Sequence, residues 1–194
     1  MELSEERIVA RLKTDDREAF RILVERYQDR VINTCYGFLH NRQDAEDTAQ
    51  EVFLEIFRSI GSFRESARLG TWIYRIAIAK SLDLLRKMKR KKRLAVLVRF
   101  FSDENSAGEE PVETTNPHRL LEEKERAQIL KAGVDSLVEN QRIALILHRY
   151  QGFQYNEIAE IMGISLGAVE SLLHRAKKNL QKNLYKYFER QQDF

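Results

Sequence analysis

The sequence predicts an all-α protein, and three observations support this prediction. Apolar residues recur at three- and four-residue spacing along most of the chain, which is the period of an amphipathic helix. Glycine is scarce, with 8 among 194 residues. The only two prolines, Pro111 and Pro117, lie close together, so the strongest helix breaker is absent from the rest of the chain.

The composition is that of a globular protein, with 43% hydrophobic and 32% charged residues, and its length suits one ordinary domain or two small ones. No basic segment followed by an apolar one opens the chain, and no run of about 18 apolar residues occurs. We therefore expect a cytoplasmic protein without membrane insertion. The single cysteine, Cys35, excludes an internal disulfide and a multi-cysteine zinc site. Its apolar neighbours favour a core position over a redox role.

The first of two small helical domains is predicted over residues 1–93. A helix through Phe20 and Tyr27 continues toward Leu39 with its apolar residues at helical spacing. Asp15 with Glu18 forms a capping-box pattern at its start. Residues 40–42 predict a tight connection to a second helix, which begins after Asn41 and ends at Gly61. Residues 62–70 predict a loop, and a third helix runs from Thr71 into a basic tract.

The second domain is predicted over residues 117–194, after a flexible acidic linker over residues 94–116. From Ser102 the composition changes to Ser, Asp, Glu, Asn, Thr, Gly and Pro, which is typical of linkers. Asn116-Pro117 matches an N-cap and first helical position, opening a helix to about Leu130. A further helix is predicted from Val138 to Tyr150.

Residues 155–175 fit a helix-turn-helix. That motif needs a small residue where two helices cross, then a turn residue that tolerates positive φ, then a branched apolar residue. Ala159, Gly163 and Val169 stand at those three positions, and Ser165 is a suitable N-cap for the second helix. A helical hairpin that merely packs is the alternative, but the complete pattern favours DNA binding.

The second helix of such a motif enters the major groove, where its first residues reach the base edges and its later cations reach phosphates. The residues predicted to contact DNA in this way are Gly167, Ala168, Glu170, Ser171, His174, Arg175 and Lys178. Glu170 has two open interpretations: it accepts a hydrogen bond from cytosine N4, or it lies away from the groove.

Charge is segregated along the first domain. Residues 80–93 contain eight basic residues and one acid, Asp83, whereas residues 43–55 contain five acids and no base. The basic tract suits a polyanion, and the acidic segment suits a different partner. The simpler interpretation of each is a solvated helix end.

Aromatic and basic residues alternate where the third helix begins. Phe63, Trp72 and Tyr74 are interleaved with Arg64, Arg68, Arg75 and Lys80. Aromatic rings stack on unpaired bases while cations hold the phosphates, so this segment is predicted to bind melted single-stranded DNA. A core role for Phe63 and Trp72 is the alternative from these residues alone. The helix-turn-helix pattern later in the chain, at residues 155–175, favours the DNA interpretation.

Three segments resemble extracytoplasmic-function sigma factors, which are RNA polymerase specificity subunits of the sigma-70 family. Residues 44–53 (DAEDTAQEVF), 71–77 (TWIYRIA) and 83–86 (DLLR) resemble their region 2, and residues 137–180 resemble their region 4. The resemblance implies a sigma factor that binds RNA polymerase core enzyme and recognises the minus-ten and minus-thirty-five promoter elements. It also implies control by an anti-sigma protein that covers both domains.

The resemblance assigns roles to particular positions. The surface that holds the polymerase β′ clamp helices would comprise Asp44, Glu46, Asp47, Gln50, Glu51 and Phe53. The downstream element would be captured and melted by Phe63, Arg64, Arg68, Trp72, Tyr74, Arg75, Lys80 and Arg86. Region 4 would bind the polymerase β flap and the upstream element. Ala79 replaces a frequent asparagine, and Glu170 and Leu172 replace frequent bases, which predicts an altered base preference.

Two rival functions are weaker. A helix-turn-helix regulator that acts without joining polymerase leaves the acidic segment and the Trp72 loop unexplained. An enzyme would need the carboxylates of residues 44–55 to bind metal or to act as acid and base, but no histidine accompanies them and no phosphate-binding glycine loop occurs. We therefore expect no catalytic residue, no metal and no cofactor.

Overall fold

The computed structural model describes residues 3–64, 68–101 and 127–192, and for 92–101 and 186–192 it describes the backbone alone. All regular secondary structure in these ranges is helical, which confirms the predicted fold class. The first domain contains α1 (Glu5–Leu12), α2 (Arg17–Leu39), α3 (Arg42–Ser59), a 3-10 turn (Ile60–Ser62) and α4 (Leu69–Phe101). Within the described ranges, no helix is both long enough and apolar enough to cross a membrane.

α2, α3 and α4 pack against one another around one apolar core, and α1 packs on α2. The fully buried side chains of this core include Leu23, Val31, Phe38, Val52, Ile56 and Ile73. α1 was not predicted from the sequence. It is held by the Tyr27 hydroxyl, which donates a 2.6 Å hydrogen bond to the Glu5 carboxylate, and by the burial of Ile8 and Val9.

The N-cap of α2 is Asp16, one residue later than the predicted Asp15. Asp16 Oδ1 accepts hydrogen bonds from the backbone N–H groups of Glu18 (2.9 Å) and Ala19 (3.1 Å). Asp15 instead has a positive φ of 60° in the turn. The side-chain hydrogen bond from Arg11, helped by these backbone donors, lowers the pKa of Asp16. The two aspartates have the same capping chemistry as residue types, and the contact of Arg11 with Asp16 distinguishes them.

The connection between α2 and α3 confirms the tight turn predicted at residues 40–42. His40 has a left-handed conformation with φ of 53°, which reverses the chain. Asn41 Oδ1 then accepts a 3.0 Å hydrogen bond from the backbone N–H of Asp44 and caps α3. Asp44 lies in the first turn of α3, where a negative charge is stabilised by the helix dipole.

α4 begins at Leu69 and continues to Phe101, so residues 94–101, assigned to the linker from the sequence, continue the helix. The acidic composition that indicated a linker begins only at Ser102. Residues 102–126, which hold the rest of that linker and the predicted helix start at Pro117, lie outside the described residues.

The second domain comprises α5 (residues 127–135), α6 (Glu139–Gln151), α7 (Tyr155–Met162) and α8 (Leu166–Gln192). α6 and α7 both pack on α8. Ile146, Leu147, Ile158 and Val169 are buried between these helices. At the start of α7 the backbone N–H of Gln154 donates a 2.8 Å hydrogen bond to the Glu157 carboxylate, although glutamine is not among the favoured N-cap residues.

Cys35 lies in the core, as predicted, with no exposed surface. Burial raises the pKa of its thiol to about 11, so roughly one thiol in a thousand is ionised at pH 8. We expect a thiol-specific reagent such as DTNB to leave the native protein unmodified at pH 8 and to react with it promptly in guanidinium chloride. Fast stoichiometric labelling of native protein would contradict the core assignment.

Candidate nucleic-acid interface

The predicted helix-turn-helix is formed by α7, a turn at Gly163 and α8. Gly163 has a φ of +67°, the left-handed conformation that was expected at this position. Val169 is fully buried beneath the crossing, and Ala159 is partly buried against it. Ser165 Oγ accepts a 3.3 Å hydrogen bond from the backbone N–H of Ala168, so the predicted cap is also present.

The first three turns of α8 present one side to solvent. Of the residues predicted to contact upstream DNA, Gly167, Glu170, His174, Arg175 and Lys178 are exposed, and Ala168 and Ser171 are half-buried. Arg175 donates to the Ser171 hydroxyl at 2.6 Å and to the Ser171 carbonyl at 3.2 Å. These contacts hold its guanidinium along the exposed side of the helix, where a DNA groove could reach it.

The acidic segment forms the outer side of α3. Asp47, Gln50 and Glu51 are exposed, while Asp44 and Glu46 are half-buried. Phe53, which was grouped with them, is only 8% exposed and packs into the core. The hydrophobic residues that do reach the surface of α3 are Leu54 and Phe57, at 51% and 37% exposure. The sequence offered no way to choose between Phe53 and these two, because all three occur within the segment VFLEIF of residues 52–57.

Trp72, Arg75 and Arg86 lie on one side of α4, because their spacings of three and eleven residues return to similar angles at 100° per residue. Exposed cations follow them: Lys87, Lys89, Arg90 and Lys91. Lys80 lies farther round the helix and forms a 3.3 Å ion pair with Glu55 of α3. We call the exposed cations of α4 the basic ridge: Arg75, Arg86, Lys87, Lys89, Arg90 and Lys91. Trp72 lies at its beginning.

The predicted aromatic residues divide into two groups. Phe63 and Tyr74 are 6% and 3% exposed and belong to the core, in keeping with the alternative interpretation of Phe63. Trp72 is half-buried and packs on Phe63 with ring centroids 5.0 Å apart. Arg64 and Arg68 are exposed at the two described ends of the loop. Residues 65–67 of that loop lie outside the described residues.

Phe153, predicted only as part of a connection between helices, makes contacts that its sequence position did not indicate. Its ring packs edge-on against Tyr74 at 4.9 Å and lies 4.9 Å from the guanidinium of Arg30. Gly152, with a φ of +66°, ends α6, and the N–H of Phe153 bonds back to the carbonyl of Leu147 at 3.3 Å. A glycine followed by a large apolar residue after an amphipathic helix is the signal of this motif.

The contact of His40 with α5 was not predicted from the sequence either. Its imidazole is 12% exposed and lies 3.9 Å from Asp135 of α5. Burial lowers the pKa of His40, and the charge of Asp135 opposes this only partly. No group of three His, Cys, Asp or Glu side chains within the described ranges is placed to hold a metal ion.

Two family models match the chain. The Sigma-70 region 2 model matches residues 23–91, from within α2 to the basic ridge of α4. The Sigma-70 region 4 model matches residues 127–180, which includes the helix-turn-helix.

Curated relatives match over nearly the whole chain. The chain is 30% identical over 184 residues to the RNA polymerase sigma-H factor of Pseudomonas aeruginosa, covering 93% of both chains. It is 30% identical over 183 residues to the ECF RNA polymerase sigma-E factor of Escherichia coli K12, covering 94% of this chain and 95% of that one.

Solved structures share the fold. CnrH in complex with the cytosolic domain of CnrY superposes with a TM-score of 0.65 at 21% identity, over 94% of this chain and 97% of that one. The sigma factor RpoE of Bartonella quintana, in complex with the anti-sigma factor NepR, gives a TM-score of 0.56 at 22% identity, over 86% and 96%. With both regions present in order, this chain belongs to the extracytoplasmic-function sigma factors of the sigma-70 family, and it directs promoter-specific transcription initiation by RNA polymerase.

Proposed function

We propose that the two domains divide the work of initiation. Residues 1–93 bind the β′ clamp helices of RNA polymerase core enzyme and melt the minus-ten element. Residues 117–194 bind the β flap and the minus-thirty-five element. The observation that carries this proposal is the presence of two separate surfaces of suitable chemistry, the exposed acidic side of α3 and the exposed helix-turn-helix side of α8.

The polymerase contact would use the charge of α3. Asp47, Gln50 and Glu51 point to solvent, and oppositely charged surfaces raise the association rate and fix the register of a complex. Leu54 and Phe57 lie exposed on the same helix and would add the apolar anchors that binding sites need. They would serve in place of Phe53, which the resemblance places at this contact but which lies in the core.

The DNA contacts would be of two kinds, one to double-stranded DNA and one to a melted single strand. Arg175, His174 and Glu170 would meet base edges in the major groove. Trp72 would stack on an unpaired base of the melted strand, with the basic ridge of α4 along the phosphates. The energy for melting comes from these contacts, so the protein is proposed to act as a cytoplasmic initiation factor rather than an enzyme, without a cofactor.

Control by an anti-sigma protein is part of the proposal. Both structural relatives named above were solved with a protein partner, CnrY in one and the anti-sigma factor NepR in the other. The same kind of partner is proposed for this chain.

The test is runoff transcription on a fragmented genomic library from the source organism, with purified polymerase core enzyme and with or without this protein. New transcripts with defined starts are expected only when the protein is present, and their upstream sequences give the two elements. DNA binding without initiation would instead indicate a regulator that acts apart from polymerase.

Arg175→Ala should weaken binding to an upstream-element duplex by roughly tenfold, because one good base or phosphate contact contributes about 1–3 kcal/mol. A gel-shift titration at fixed salt measures this loss. The matched control is Arg149→Ala, which removes one exposed cation from α6 and should bind almost as wild type. Equal affinity of the two variants would remove Arg175 from the interface.

A further inference from the structure

One row of residues along the exposed side of α8 is not occupied by contacts within the protein. An α-helix turns by about 100° per residue, so side chains four positions apart lie nearly one above the other. Leu166, Glu170 and His174 form such a row, which starts at the first residue of α8. Within the described part of the chain, neither Glu170 nor His174 forms a hydrogen bond or an ion pair through its side chain. The row is therefore free to meet an external partner.

Leu166 places an apolar side chain at the beginning of this row. It is 49% exposed, whereas Val169 and Leu173 of the same helix are buried, with 0% and 8% exposure. Ser165 caps the helix directly before it, because Ser165 Oγ accepts a hydrogen bond from the N–H of Ala168 at 3.3 Å. Leu166 thus lies in the first turn of the second helix, the part of a helix-turn-helix that contacts base edges. It was not among the residues predicted to contact DNA.

Gly167 leaves open space between Leu166 and Glu170. A Cβ atom at Gly167 would meet nothing within 4 Å, and among the described glycines only Gly152 and Gly163 have a positive φ. Neither crowding nor backbone conformation within the described chain therefore requires glycine here, although glycine weakens a helix. A position without a side chain allows a ligand to approach the backbone closely. A base edge can reach the helix at this point.

We propose that Leu166 and Glu170 determine the base preference of the upstream element, with Leu166 contacting the methyl group of a thymine and Glu170 accepting a hydrogen bond from N4 of a cytosine. This inference rests on the proposed function, because it names the bases that the helix-turn-helix reads. Glu170 lies between Leu166 and His174 in the exposed row, so it faces the groove with them rather than away from it.

The choice of cytosine follows from the chemistry of the Glu170 side chain. At neutral pH an exposed carboxylate only accepts hydrogen bonds, and the donors in the major groove are cytosine N4 and adenine N6. Adenine has the acceptor N7 beside N6, and the polar atoms of guanine and thymine in this groove are all acceptors. Each of these three bases therefore repels the carboxylate. Cytosine alone presents a donor without a competing acceptor.

The charge of Glu170 affects specificity more than affinity. DNA phosphates repel a carboxylate, but Arg175, Lys177 and Lys178 are exposed farther along α8, and cations bind phosphates. The helix as a whole is therefore attracted to DNA, while Glu170 rejects bases that lack a donor. Discrimination by rejection of the wrong partner is a general route to specificity. Removal of the charge should accordingly change the preferred base without loss of binding.

The choice of thymine follows from the apolar side chain of Leu166. The C5 methyl group of thymine is the apolar group of the major groove, and covering it removes apolar surface of both partners from water. Leu166 and Glu170 are four residues apart, which is about 6 Å along the helix axis. Base pairs are stacked roughly 3.4 Å apart. The two residues therefore read bases that lie roughly one or two steps apart.

A promoter library measures the base preference in the complete initiation complex. It contains one promoter found by runoff transcription, with its upstream element randomised and a barcode for each version in the transcribed region. Core enzyme with the full-length protein transcribes the library, and the barcodes are counted by sequencing. The wild-type protein should favour cytosine at one position and thymine at a position one or two steps away.

Glu170→Gln should change the preferred base at the cytosine position to adenine. Glutamine has nearly the size of glutamate, and its amide pairs with N6 and N7 of adenine. The ratio of cytosine to adenine should shift by about tenfold or more. Glu6→Gln is the matched control, because Glu6 is an exposed glutamate of α1, far from the helix-turn-helix in the chain, and it should keep the wild-type preference.

Leu166→Ala is combined with the removal of one methyl group from the DNA. Replacement of the thymine by uracil removes the C5 methyl group and keeps the hydrogen-bonding groups. With protein limiting, wild type should initiate roughly fourfold less on the uracil promoter, whereas Leu166→Ala should not distinguish the two promoters. Leu130→Ala is the matched control, because Leu130 of α5 is a similarly exposed leucine, at 45%. It should distinguish thymine from uracil as wild type does.

Three results would overturn the assignments. The same preferred bases in wild type and Glu170→Gln would remove Glu170 from base reading. An equal loss of initiation by Leu166→Ala on the thymine and uracil promoters would mean that Leu166 contacts something other than that methyl group. In both cases promoter-specific initiation persists and the proposed function stands. Initiation at defined starts without any base preference in the upstream element would overturn this inference together with the proposed role of α8.

Discussion

Trp72→Ala should reduce formation of the open promoter complex by roughly 5- to 150-fold, because stacking on one base contributes about 1–3 kcal/mol. The ring is half-buried, with one face supported by Phe63 at a centroid distance of 5.0 Å. That support fixes the ring while leaving part of it for a base. Permanganate reactivity of unpaired thymines, measured with polymerase present, reports the loss directly.

Trp72 also packs against the core of its own domain. Its truncation therefore lowers the stability of that domain and also removes the stacking on a base. Trp72→Phe separates the two effects, since phenylalanine keeps an aromatic face for the base. Melting should recover largely in Trp72→Phe, and both variants should bind polymerase core enzyme as wild type does. Wild-type permanganate reactivity in a folded Trp72→Ala protein would remove Trp72 from the melting step.

Local chemistry made much of the fold predictable. Asn41 and Ser165 cap their helices as expected, and Gly163 has the positive φ that the helix-turn-helix requires. Each of these depends on residues within four positions of one another, so the sequence carries the information directly. The choice of Asp16 over Asp15 already depends on a contact with Arg11 of the preceding helix, and there the prediction was one residue early.

Contacts between distant residues could not be predicted in the same way. Arg75 and Glu160 are 85 positions apart, and nothing in either segment specifies that a guanidinium will cap α7. A cation on an exposed helix face has the same pattern whether its partner is DNA or a helix end. For that reason the sequence predicts a DNA-binding face on α4 but not the packing of α7 against it.

The sequence also could not predict which aromatic residues are buried. Phe53, Phe63 and Tyr74 were assigned to binding surfaces, and each is less than a tenth exposed. Aromatic residues serve cores and binding sites by the same physical property, a large apolar area. Tyr74 adds a second ambiguity: part of its cover is Phe153 of the second domain, so its burial depends on a contact that its own segment does not specify. Burial also raises the pKa of its phenol.

Gly163→Val should destabilise the second domain by about 1–3 kcal/mol, because a β-branched residue is strained at positive φ. For a domain of this size that loss lowers the Tm by about 10 °C. Upstream-element binding should fall with it, since the turn sets the angle between α7 and α8. Thermal unfolding followed by circular dichroism and a gel-shift titration measure the two effects.

Gly163→Asn is the matched control, because asparagine adopts the left-handed conformation far more readily than valine does. It should restore most of the stability and the DNA affinity although it adds a longer side chain than alanine would. Equal losses in the two variants would mean that bulk near Arg75, whose Nη2 lies 3.7 Å from the position of a Cβ atom, matters more than backbone strain. A stable Gly163→Val protein would contradict the role of the turn altogether.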